Sequence, residues 1–196
     1  MQKIIVFLGP RLDLAAAEKI LSADFLPPAR RGDLLAAAEK DATIIGLIDG
    51  VFHQESAVAH REILTAIKKG VKVVGASSMG ALRAAEMDTL GMVGIGEIYR
   101  MYKSGELESD DEVALVFDPS SRLALSEPLI NIRFTLKLAR EDGIITLAEH
   151  DALLASARSL FYPKRTYRAI VANARDAIDE TAGERFLHWV DTNACD

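Results

Sequence analysis

The sequence predicts an α/β protein with a small parallel Rossmann-like sheet in its N-terminal half and a helical C-terminal half. Three observations carry that expectation. Residues 4–8, 43–48 and 71–74 are short runs rich in β-branched side chains, each bounded by glycine or proline, as buried strands are. Helical stretches at 14–21 and 57–69 lie between them, the second closed by Gly70. From Glu127 onward the pattern is helical to the end, with breaks expected at Gly143, Pro163 and Gly183.

Alternation of strand and helix implies parallel pairing with right-handed crossovers, which gathers the loops after the strands at one sheet edge. Three loops are therefore expected to converge: Gly9-Pro10, Asp49-Gly50, and the run 76–80. The Pro27-Pro28 step, with Arg30-Arg31 after it, reads as a loop crossing the sheet edge. The middle of the chain holds an acidic run, 106–112, and a candidate strand at 113–117. The division expected is a core over 1–126 and a helical region over 127–196, packed as one compact unit.

Composition narrows the function classes. At 196 residues and 49% hydrophobic, the chain can bury a real core. Its 23 Lys plus Arg against 29 Asp plus Glu give a net charge of -6, which does not favour phosphate backbones or anionic lipid. The single cysteine, Cys195, allows no internal disulfide and no thiolate pair for a metal. No apolar run reaches the roughly 18 residues of a membrane span. A soluble cytoplasmic protein with no nucleic-acid or membrane partner is expected.

The strongest local signal is Val73-Val74-Gly75-Ala76-Ser77-Ser78-Met79-Gly80-Ala81-Leu82-Arg83, a strand running through serines into a helix. Ala76, Ser78 and Gly80 occupy the small-x-Ser-x-small positions of a nucleophile elbow, with N–H groups of the helix start placed to receive an oxyanion. The same serines also suit an ordinary helix cap, or an anion site at the helix N-terminus. Spacing does not separate these three.

A serine nucleophile needs a base. His60 shares an i, i+3, i+4, i+7 stripe with Ile63, Leu64 and Ile67, which expects it on the sheet-facing side near the same edge. Asp49, closing the second strand, is the candidate orienter; a buried core histidine and an Asx turn are the bland alternatives. His53 is the substitute base. Arg83 and Glu86, three apart, read as an ion pair or a carboxylate contact. Asp110-Asp111-Glu112 reads as a solvated charge run, with magnesium the alternative. Ser126-Glu127-Pro128 reads as the start of a helix carrying Asn131 and Arg133.

Taken in order, Val6-Phe7-Leu8-Gly9-Pro10, Ile45-Gly46-Leu47-Ile48-Asp49-Gly50-Val51-Phe52, His60-Arg61-Glu62-Ile63-Leu64, Gly75 through Glu86, Asp110-Asp111-Glu112-Val113-Ala114 and Ser126 through Arg133 resemble the motifs of the TfuA-like family. The resemblance covers roughly residues 6–133. It implies a partner of YcaO proteins in peptide backbone thioamidation, in which YcaO uses ATP to activate a peptide amide and the TfuA protein helps it receive sulfur. In bacterial versions the donor resembles a thiocarboxylate on a ubiquitin-like carrier. Archaeal members are associated with thioglycine in methyl-coenzyme M reductase. No cofactor of its own is implied, ATP and magnesium belonging to the YcaO partner.

Two function classes stay open. As a serine-type thiocarboxylate hydrolase, the chain uses Ser78 as nucleophile, His60 as base, Asp49 as orienter and the Met79 N–H as oxyanion donor. As a non-catalytic adaptor, it binds YcaO and the carrier. Ser77, Met79, Gly80, Arg83, Glu86, Gly9, Asn131 and Arg133 are the substrate- or anion-binding candidates, and no metal ligands are expected.

Overall fold

The computed structural model describes residues 2–9, 12, 14–52, 57–118 and 123–194, which fall into two compact units, Met1–Asp110 and Asp111–Asp196. The first is built on five parallel strands: β1 (Ile4–Phe7), β2 (Asp24–Leu26), β3 (Ile44–Leu47), β4 (Lys72–Gly75) and β5 (Val93–Gly94). Their order is β2-β1-β3-β4-β5. This is the order of flavodoxin-like doubly wound sheets, in which the chain reverses its direction of travel between β1 and β3 and opens a crevice there.

Alternation along each strand divides the sheet into two unlike faces. Ile5, Phe7, Ile45, Leu47 and Val73 are 2% exposed or less and pack with Leu34 and Ala37 of α2 (Asp33–Glu39), Ile63 and Ala66 of α3 (His60–Lys68), and Ala84 and Met87 of α4 (Met79–Met87). On the other face Val6, Ile44, Gly46, Ile48 and Val74 meet α1 (Leu14–Ile20) across an apolar cavity of about 310 Å³. After β5 the chain turns into α5 (Glu97–Ser104), which packs on α4. There Tyr99 donates to Asp88 at 2.8 Å and Lys103 lies 2.8 Å from the same oxygen. Lys103 first, then the Tyr99 hydroxyl, hold the Asp88 carboxyl below its ordinary range, and their bonds to Asp88 raise Tyr99 and Lys103 in turn.

The three long strands lie where the β-branched runs place them, whereas β2 and β5, with three and two residues, are too short to show a period. The Pro27-Pro28 step leads from β2 to Ala29, which is fully buried and bridges to Gly50.

The second unit packs α6 (Leu129–Glu141), α7 (Leu147–Ser159), α8 (Tyr167–Asn173) and α9 (Glu180–Asn193) around Ile132, Leu136, Leu153, Ile170 and Phe186. Leu129, Ile132, Leu136 and Ala139 form the apolar stripe of α6, at helical spacing. The break expected at Gly143 holds: it ends α6 in the left-handed conformation, φ 71°. Gly183 does not break anything. It lies inside α9, and a Cβ there would come within 2.7 Å of Val171 on α8, so the glycine serves close helix packing.

Residues 113–117 are not a strand. The chain makes a 3-10 turn over Asp110–Val113, and Phe117 forms only an isolated antiparallel bridge with Ala124. Two side-chain anchors explain the turn. Glu112 is held by Arg133 through bonds of 2.8 and 2.6 Å, and Asp111 by Arg165 at 2.7 Å. The Val116 N–H then goes to the Ser126 hydroxyl rather than to a neighbouring strand. The second unit starts at Asp111, at these anchors.

Candidate functional site

The three expected loops do converge. A Cβ on Gly9 would lie 1.7 Å from Asp49 Oδ2, so the carboxylate rests against bare backbone at the β1/β3 reversal. Asp49 is 5% exposed; its N–H goes to Phe7 O, and its carbonyl accepts from Ala29. Gly50 abuts Met79, and a Cβ on Gly80 would lie 1.7 Å from Leu47 O. A Cβ on Gly75 would lie 2.2 Å from Gly80 O. Gly75 and Gly80 therefore let α4 start hard against the strand ends, the close approach that an elbow between strand and helix requires.

Between these glycines the chain turns through Ser77, which has φ 59°. Left-handed backbone is strained for a residue with a Cβ and concentrates at functional sites. Ser77 is exposed, and its hydroxyl has no hydrogen-bond partner among the described residues. Ser78 is half-buried at the N-cap position of α4, yet its side chain makes no capping bond. Met79 is a core residue, 1% exposed, whose N–H has no acceptor among the described residues. Strand, strained serine, second serine and helix start thus form an elbow-like turn, centred on Ser77 rather than on Ser78.

His60 is placed differently from the expectation. The buried face of α3 is Glu62, Ile63 and Ala66, and the His60 side chain is 51% exposed. Glu62 is the buried anchor: its carboxylate accepts from the N–H groups of Ala59 at 2.7 Å and Gly32 at 2.9 Å, tying the starts of α3 and α2 together. The imidazole Nε2 instead meets Glu86 Oε2 at 2.7 Å, and Arg83 Nη1 donates to that oxygen at 2.6 Å. Arg83 Nε donates to Val58 O, fixing the guanidinium.

Among the described residues Glu86, not Asp49 or a serine, is therefore the partner of His60. Glu86 is seven residues beyond Met79, the first residue of α4, about 10 Å along the helix axis. The structure thus brings together Gly9 with Asp49, the turn residues 75–80, and the trio His60, Arg83 and Glu86. It does not link the trio to the serines. The substitute base His53, and Cys195, lie outside the described residues.

In the second unit Arg133 is engaged by Glu112, whose side chain is 7% exposed, and Asn131 lies in the first turn of α6. The acidic motif is thus a pair of arginine anchors rather than a solvated face. Among the described residues no group of three or more His, Cys, Asp or Glu is placed to hold a metal ion, and no helix is long and apolar enough to cross a membrane. Sequence reasoning missed Arg165, which is 1% exposed and bonded to three carbonyls and to Asp111. No periodicity marks a lone arginine as buried.

The fold and turn define a parallel α/β protein with an elbow-like serine loop beside a topological switch point. The model of the family described as TfuA-like protein matches residues 49–166, more than half of the chain, and the protein belongs to that family. No curated protein matches it in sequence.

Proposed function

We propose that this protein assists YcaO-dependent peptide backbone thioamidation by releasing sulfide from a thiocarboxylated, ubiquitin-like carrier at the β4–α4 turn. Family membership supports the pathway, and the left-handed, exposed and unpartnered Ser77 supports the chemistry. In this reading the Ser77 oxygen attacks the thiocarboxylate carbonyl, the C–S bond breaks, hydrosulfide leaves and a carrier acyl-serine forms. Water then cleaves the ester, returning the carrier carboxylate and the serine hydroxyl. N–H groups at the start of α4, that of Met79 among them, face the developing oxyanion. The proton given up by the serine goes to the sulfur, so that hydrosulfide rather than S2− leaves, and the site has to activate the serine and protonate the departing sulfur together. Ser78 lies in the turn and Asp49 in the loop beside it, and the His60, Arg83 and Glu86 trio is the second acid–base group of the first unit.

One observation favours the adaptor alternative: His60 is committed to Glu86 and not to a serine. Under that reading the turn binds the carrier terminus and the protein docks it to YcaO without chemistry. Purified protein, mixed with thiocarboxylated carrier in the absence of YcaO, separates the two. Sulfide release above the carrier-only rate, lost in Ser77→Ala with binding retained, supports hydrolysis; no release from the wild type leaves the adaptor.

A further inference from the structure

Helix α6 begins with polar groups that no other described residue satisfies. Its N-cap residue is Pro128, which has no side chain able to cap, and Ile132 is the first residue whose N–H is taken up, by Pro128 O. The N–H groups of Leu129, Ile130 and Asn131 have no acceptor among the described residues, although these residues are 4%, 1% and 9% exposed. The hydroxyl of Ser126, three residues ahead of Leu129, is occupied by Val116 N–H. By contrast α7, α8 and α9 are each capped by a side chain, from Thr146, Thr166 and Asp179.

The second observation is Asn131 itself. The residue is nine-tenths buried, and its carboxamide has no hydrogen-bond partner among the described residues. Side chains on a helix lean toward the N-terminus, so a carboxamide at the third position lies over the open first turn. A buried amide and three buried N–H groups without acceptors are costly as they stand. Together with the positive end of a 13-residue helix, they present donors and partial positive charge on one spot.

We propose that the first turn of α6 is an oxyanion-binding site, taking a carboxylate or a phosphate group through the N–H groups of Leu129, Ile130 and Asn131 and the Asn131 side-chain amide. The nearby formal charges are specific. Arg133 is paired with Glu112, and Glu127 precedes the cap in sequence. The proposal does not rest on hydrolysis at Ser77, and its test involves no sulfide.

The test is a titration of the full chain, labelled with 15N, with inorganic phosphate and separately with acetate at constant ionic strength and pH. Saturable shifts centred on the backbone amides of 129–131 and the Asn131 side chain are expected, with the tighter of the two ions naming the source chemistry. In Asn131→Asp, which keeps the shape and adds a negative charge, the affinity is expected to fall at least tenfold. Asn131→Leu, which removes the donor, is expected to weaken it as well. If neither ion gives saturation at 129–131 in the wild type, or if Asn131→Asp binds as tightly as the wild type, the site does not exist and its donors are met by water.

Discussion

The two motif-bearing stretches of this chain treat their polar residues in opposite ways. In the second unit Glu112, Asp111, Arg133 and Arg165 are tied to one another and to backbone carbonyls, so what reads as a charged surface run is internal bracing. At the β4–α4 turn the glycines take up the packing, and Ser77 is left strained, exposed and without a partner among the described residues. The difference teaches that a polar residue in a motif becomes a site candidate only where the fold leaves it without another task. By that criterion Ser77 and Asn131 rank ahead of Ser78 and Arg133 as residues to test.

The largest effect that would sharpen this contrast is at Arg165. Removing the guanidinium in Arg165→Met leaves three carbonyls without their donor, at about 1 to 3 kcal/mol for each one that stays buried, while Asp111, whose side chain is 39% exposed, is rehydrated. Denaturant unfolding should show that loss; a change under about 1 kcal/mol, typical of a surface pair, would mean that Arg165 braces nothing. Arg133→Met, which leaves the nearly buried Glu112 carboxylate unpaired, is expected to cost about 1 to 3 kcal/mol, with no change in carrier or anion binding. Weakened binding at unchanged stability would return Arg133 to the site.

A smaller effect concerns the Asp88, Tyr99 and Lys103 cluster of the first unit. Tyr99 and Lys103 hold their protons to higher pH in the fold than their ordinary values of 10.0 and 10.5, so the stability they supply is full below those values and is lost as pH rises through the folded ones. Asp88 is lowered from 3.8, so its contribution is present above that value and is lost as pH falls through the lower folded one. Tyr99→Phe should flatten the alkaline flank of a stability profile measured between pH 9 and pH 12, a window set by those ordinary values; an unchanged flank would remove the cluster from the account.

Much of the first unit was legible in the sequence because buried parallel strands read as short β-branched runs and their loops must share an edge. Ile45 and Leu47, Gly9 beside Asp49, and the glycines around the serines all follow from that rule. What was not legible depended on backbone angles and on partner choice. The choice between adjacent serines turns on one φ value that the motif does not encode, since Ala76 and Gly80 frame Ser78 as well in spacing as Gly75 frames Ser77. His60 was assigned to the core from its stripe with Ile63 and Ile67, but α3 rolls to bury Glu62, whose carboxylate caps two helices at once. The strand expected at 113–117 failed because two carboxylates reach distant arginines, and no local pattern announces such a reach.

The central claim is that Ser77 is kept in a strained conformation for chemistry, and one substitution addresses both halves of it. Ser77→Gly relieves the left-handed strain, worth about 1 to 2 kcal/mol, while glycine adds about 0.4 to 1 kcal/mol of freedom to the unfolded chain. Melting should therefore show an unchanged or slightly more stable protein. Sulfide release from the thiocarboxylated carrier, measured without YcaO on the same preparation, should fall on the order of a thousandfold, the typical loss on removing a nucleophile. A Ser77→Gly protein that melts at or above the wild-type temperature and still releases sulfide at more than about a tenth of the wild-type rate would contradict the account.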